Sequence, residues 1–215
     1  MRCIPYWVAA LVLLAGCAAP TKYIEPDASK PARAAGPTVG APGVVDHPQT
    51  AAWQQLISGA PKAGFLVERP NLAAWTLNLR YTGDPKEYID CGRVVSKVKT
   101  AKGEHTYDFP AAKAYQQYQL QKGNKVFLVD RRMNIEIRTT VSLEPVTQSS
   151  TRLKMDSQYI ATRDQAVRGG GAKPFGMTDS ISFDAAGGAT FPNAATRCRG
   201  TGKFESDVLA VARRG

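Results

Sequence analysis

Between residues 133 and 143 the chain alternates almost without error. Met133, Ile135, Ile137, Thr139, Val141 and Leu143 fall on one side; Asn134, Glu136, Arg138, Thr140 and Ser142 fall on the other. A period of two marks a half-buried strand. The alternation returns in "TRLKMDSQYIAT", where Leu153, Met155 and Tyr159 share a face. Only "EPVTQSS" separates the two runs, so they are expected to pair antiparallel with one face wet, Pro145 ending the first. An earlier run, "AWTLNLRYTGDP", sets Trp75, Leu77, Leu79 and Tyr81 against Thr76, Asn78, Arg80 and Thr82. Gly83-Asp84-Pro85 then supplies turn chemistry. "YIDCGRVVSKVK" predicts a further strand, ended by Gly103.

Elsewhere the period lengthens. In "AAWQQLIS", Trp53, Leu56 and Ile57 share a helical face, with Thr50 as the expected cap and Gly59 and Pro61 as the stop. "SDVLAVARR" opens on Asp207 and closes on Arg213-Arg214, the charge order that suits a helix dipole; a terminal strand is the alternative. "TYDFPAAKAYQQYQLQKGNK" predicts a weak helix or an ordered loop. Tyr115 and Tyr118 sit three apart, and Pro110 suits a first helical turn. "RGGGAKPFG" reads as a surface loop, and "SISFDAAGGATF" as a hairpin with Gly187-Gly188 at its tip. The expected fold is a single mainly β, or α+β, domain with a mostly antiparallel sheet and one or two short helices.

Ahead of this domain the pattern is different. After Arg2, residues 3 to 16 are almost wholly apolar. A run that short cannot cross a bilayer as a helix, but it suits a secretory signal peptide. Its last residues, Leu14-Ala15-Gly16-Cys17, resemble the lipobox of bacterial lipoprotein signal peptides. The resemblance covers the leader alone. It implies that Cys17 takes a diacylglyceryl group through a thioether, that cleavage falls just before it, and that the new amine is commonly acylated. One acyl chain anchors marginally, whereas two or three hold stably. In the enteric sorting rule an Asp after the Cys retains the protein at the inner membrane. Ala18 stands there instead, which implies the periplasmic face of the outer membrane rather than the inner membrane. The expected organisation is a signal peptide over 1–16, a lipidated cysteine and Pro/Ala-rich tether over 17–49, and a β-rich extracytoplasmic domain over 50–215. The tether holds few large apolar side chains, too few to offset the entropy of ordering.

The leader changes how charge and cysteine are read. The chain carries a formal charge of +10; removing Arg2 and the balanced tether leaves about +9 on the domain. Behind an export signal this does not point to nucleic acid. Lipid head groups, wall polymers and acidic protein patches are the anions available there. The bases are scattered along the chain, so a general surface field is the expected meaning. With Cys3 lost and Cys17 lipidated, Cys91 and Cys198 remain in an oxidising compartment, and a disulfide between them is expected. Without Cys-x-x-Cys spacing, a redox pair is not.

Catalytic signatures are missing at each place where residue types tempt. "GTGK" (Gly200 to Lys203) lacks the first Gly of a phosphate loop and is followed by Phe204, so a turn beside the Cys198 bridge is expected. The two histidines, His47 and His105, form no His-x-x-x-His pair, and no Gly-x-Ser-x-Gly elbow accompanies them. Asp84, Glu87 and Asp90 match no calcium loop, and setting the turn is their expected role. No cofactor or metal is expected. Tyr107, Phe109, Tyr115 and Tyr118 form the candidate binding surface, weighed against packing at a sheet edge. The expected function is therefore non-catalytic. The protein would be held to the membrane by its lipid and would bind or scaffold another envelope protein. The alternative is a binding module for wall glycan or lipid; an unrecognised hydrolase ranks third.

Overall fold

The computed structural model describes residues 43–101, 103–192 and 196–214. The chain opens with β1 (Gly43–Val45), α1 (Gln49–Gly59) and a 3-10 turn (Pro61–Ala63). β2 (Leu66–Asn71), β3 (Thr76–Gly83) and a second 3-10 turn (Pro85–Glu87) follow. Then come β4 (Ile89–Asp90), β5 (Arg93–Thr100), β6 (Gly103–Pro110) and β7 (Tyr115–Lys122). Two long strands, β8 (Lys125–Thr147) and β9 (Ser150–Gly169), precede β10 (Ala172–Asp184), β11 (Gly188–Thr190), β12 (Arg197–Gly200) and α2 (Lys203–Arg213).

β8 and β9 form the spine. They pair antiparallel from Phe127↔Gly169 to Thr147↔Ser150. At one end β3 and then β2 extend the sheet beyond β8, while β1 joins the other side at Gly43↔Leu153. At the far end β7 takes the edge of β8 and β10 takes the edge of β9. Every pairing in this seven-stranded sheet is antiparallel. Odd positions from 129 to 143 and from 151 to 167 are buried, and the even ones between them are not. A slip of one residue would invert both faces, so the sequence alternation specifies the register.

The inner face is covered twice. Toward β1, the helices bring Ala52, Leu56, Phe204, Val208 and Val211 onto Leu77, Leu79, Ile137 and Val141. The Gln49 amide ties the start of α1 to the Leu143 carbonyl at 2.8 Å. Toward the far end, the β5–β6 hairpin adds Val94 and Phe109 to the same core, and the Ser96 hydroxyl donates to the Gln119 carbonyl of β7 at 2.7 Å. A small sheet in the order β11–β12–β4 completes this layer, stapled by the Cys91–Cys198 disulfide.

Two pairs of polar side chains are held inside. Buried Glu205 of α2 accepts the Tyr159 hydroxyl on both oxygens, at 2.8 and 3.0 Å. Burial pushes the Tyr159 phenol far up, and the Glu205 carboxylate adds to it, so Tyr159 is a permanent donor. Arg163, on the inner face of β9, is paired with Asp179 of β10 at 2.7 Å.

Several local expectations are corrected. Residues 103–110 and 115–122 form strands β6 and β7, not a helix. Tyr118 and Leu120 find Val129 and Phe127 across the β8 ladder, and that pairing outweighs a weak helical signal. Pro145 lies within β8. The pairing of β3 stops at Ser142, so the missing N–H falls where β8 has an open edge. Most of "RGGGAKPFG" belongs to the β9–β10 turn and to β10 itself. β11 pairs with β12, so "SISFDAAGGATF" is not a hairpin. The strand expected over 88–99 is broken at Gly92, whose φ of 74° suits only glycine well. The helix α1 starts at Gln49 behind Pro48, with no cap from Thr50. The folded part reaches back to Gly43, ahead of the expected boundary at 50. The terminal helix is present as expected.

Candidate functional site

With both helices and the β5–β6 hairpin on the inner side, the outer face of the spine carries no second layer among the described residues. It is built from the even positions of β8 and β9 and their register partners. Two open grooves lie on it. The first has a volume of about 890 Å³ and is lined by Glu68, Arg80, Arg138, Thr140, Asp156 and Asp184, among others. The second, about 670 Å³, lies toward the far end and is lined by Asp130, Arg132, Asp164, Arg168, Gly176 and Thr178, among others.

Charges on this face are paired sideways along it. Arg80 meets Glu68 at 3.0 Å, Arg138 meets Glu136 at 2.6 Å, and Lys154 meets Glu144 at 2.6 Å. Exposed pairs of this kind add little stability, about 0–1 kcal/mol each. Their effect is to leave the face polar but locally neutral. Apolar side chains are set among them. Val44, Leu66 and Tyr115 are all strongly exposed, and their register partners Arg152, Arg80 and Arg132 are outward-facing.

The second groove has the most organised chemistry. The Asp130 carboxylate accepts from the Gln117 amide at 2.7 Å, the Tyr115 hydroxyl at 3.1 Å and the Arg168 guanidinium at 2.5 Å. Arg132 lies over the Tyr115 ring, 5.8 Å from its centre. The Gln117 amide, with Arg168 and Tyr115, holds the Asp130 carboxyl below its usual range. A lowered folded-state value means the favourable contribution is present above the unfolded value, about 3.9, and is lost as pH falls through the folded one. Gln117→Ala should therefore raise the Asp130 midpoint toward that ordinary value. A side-chain NMR titration checks this, and an unmoved midpoint would remove the amide from the account.

The four aromatics expected to share a surface do not. Tyr118 and Phe109 are buried, Tyr107 is half-buried against them, and Tyr115 alone is exposed. Residues three apart in a strand point to opposite faces, which separates Tyr115 from Tyr118. The core trio is in ring contact, Phe109 and Tyr118 tilted with centres 5.2 Å apart and Tyr107 edge-on to Tyr118 at 6.4 Å. Of the acids in the 84–90 segment, Asp84 and Asp90 set turns as expected: Asp84 accepts the Lys86 N–H and Asp90 the Gly92 N–H. Among the described residues no group of three His, Cys, Asp or Glu side chains is placed to hold a metal. His105 lies on β6 with its ring against Tyr107, and His47 meets the Arg213 carbonyl. "GTGK" is the turn into α2, whose Lys203 pairs with Asp207 at 2.6 Å. The disulfide is where the cysteine count put it. Cys17 and Ala18 lie outside the described residues.

In sequence, Arg138 and Asp156 are legible only as the wet side of a strand, Asp130 and Arg132 lie ahead of the run that begins at Met133, and Arg168 opens the expected loop. Their common signal is the alternation itself, which places them on one face once the strands are registered. Comparison of the chain with family models, with curated proteins and with solved structures returns no match.

Proposed function

We propose that this protein is a lipid-anchored module of a bacterial envelope that docks another envelope protein on the outer face of its β8–β9 spine. The observation that carries this reading is the pairing of two grooves with an uncovered, charge-balanced face on which Val44, Leu66 and Tyr115 stand exposed. Isolated apolar and aromatic anchors within a polar rim are the composition of a protein interface. Both grooves are open and lined by charged and hydroxyl groups, which suits a protein surface better than an acyl chain. Cys17 is the attachment point in this reading, and the residues between it and Gly43 are the tether. Among the described residues no helix is long and apolar enough to cross a membrane.

Site-specific photocrosslinking in intact cells tests it. Probes at Thr140, Gln158 and Ser182, on the outer face, should give one recurrent protein adduct. Probes at Lys62 and Val95, away from that face, should not. Adducts that arise equally from both sets, or only from the second, would overturn the assignment of the face.

A further inference from the structure

Three turns meet at the end of the spine farthest from β1. The β7–β8 turn runs through Gly123, and Lys122 faces Lys125 across it. The β9–β10 turn lies beside it, with the Gly170 N–H donating to the Val126 carbonyl at 3.0 Å. The last residues of β5 reach the same place, since the Lys99 N–H donates to the Gln121 side chain at 2.7 Å. Lysines that are scattered in sequence therefore converge. Lys97, Lys99, Lys122, Lys125 and Lys173 are all exposed, and none enters an ion pair among the described residues. Arg168 stands behind them, neutralised by Asp130. Glu104, the register partner of Lys99, is the opposing acid at the tip.

Two further features define this pole. The glycines Gly123, Gly170 and Gly171 have φ of 59°, 64° and 75°, so the turns are tight and lysines make up much of the rim. None of the strongly exposed large apolar side chains (Val44, Leu66, Leu72, Val95, Tyr115, Val146) lies in the three turns. A surface that inserts into lipid would carry such residues beside its bases. The pole also lies far from where the chain enters the domain. From Leu153, beside β1, to Gly169 the path along β9 is roughly 50 Å at about 3.3 Å per residue.

We infer that this lysine pole is a binding surface for a carboxylate-bearing polymer of the cell wall, held out from the anchored end of the domain. The inference rests on the extracytoplasmic reading of the leader, and on a part of the surface separate from the protein-docking grooves. Clustered like charges at one pole raise the local concentration of a polyanion and make the contact salt-sensitive.

The test is co-sedimentation of the purified full chain, in detergent, with insoluble wall sacculi. Phosphatidylglycerol vesicles provide a parallel arm. Sacculi should carry the protein down at low salt and release it at roughly 0.5 M salt, where screening is strong. The Lys99→Gln/Lys122→Gln/Lys125→Gln variant should bind at least about tenfold more weakly, because it strips the pole of adjacent charges. The Lys62→Gln/Lys86→Gln/Lys113→Gln variant loses the same net charge elsewhere and should bind like the parent. Equal weakening by both variants, absence of binding to sacculi, or preference for the vesicles would each overturn the inference. None of these outcomes alters the crosslinking pattern expected of the outer face, so the two proposals fail separately.

Discussion

Replacing Cys91 and Cys198 together by alanine should lower the midpoint of thermal unfolding by roughly 10–20 °C. The bridge spans a sequence separation of 107, so it closes most of the folded chain into one loop. In the chain-entropy model a loop of that length is worth about 4–5 kcal/mol, through restriction of the unfolded ensemble. For a domain of this size each kcal/mol moves the midpoint by about 2–4 °C. The residues it joins explain why the native state needs the staple. β4 has two residues and β12 has four, too short to hold their small sheet by ladder hydrogen bonds alone. Both cysteines are buried, so reductant reaches them only after local opening. Thermal unfolding followed by circular dichroism on the oxidised parent and the double variant measures the effect. A shift below roughly 3 °C would show that the bridge is incidental to stability.

Asp179→Ala should cost about 3–5 kcal/mol, because it leaves the guanidinium of Arg163 inside the protein without its carboxylate. The Arg163 side chain is 2% exposed and that of Asp179 is 17%. The remaining neighbours include the Phe191 ring, 4.5 Å from the guanidinium carbon, and the Pro192 carbonyl at 3.4 Å. Neither carries a compensating negative charge. The loss should spread to the β11–β12 connection, where the Phe191 N–H donates to the Thr196 carbonyl at 3.0 Å. Amide exchange at Phe191 should therefore quicken in the variant. The double change Arg163→Met/Asp179→Leu removes both charges, and it should recover much of the lost stability, since a buried pair replaced by apolar groups is often neutral. Denaturant unfolding of the three proteins decides the matter. A loss under about 1 kcal/mol for Asp179→Ala would mean that water reaches Arg163.

The spine was legible because its alternation is long and clean. Met133 to Leu143 and Leu153 to Tyr159 keep one period, and the loop between them is too short for any connection but a hairpin. The segment from Thr106 to Lys125 was not legible. Its aromatics fit a helical spacing as well as a strand, and only the ladder with β8 decides between them. The same uncertainty spoiled the candidate surface. Tyr115 and Tyr118 share a face on a helix and oppose each other on a strand, so one lines the outer face and the other fills the core.

Local chemistry in the sequence was enough for the fold class, the disulfide and the turn-setting roles of Asp84 and Asp90. It also raised the lipobox of Cys17, which stands as an expectation of the leader alone. Each of these depends on neighbours along the chain, on a count, or on periodicity. The tertiary structure alone decided where the charges meet. Lys97, Lys122 and Lys173 are far apart in sequence, and they share one pole because three hairpins turn at the same end of the sheet. It alone decided that Arg163 finds Asp179 inside the protein, and that no other described residue forms a layer over the even positions of two long strands. Position along a chain records which side chains alternate. The pairing of distant strands is a property of the packed whole, and it determines which of those side chains end up as one surface.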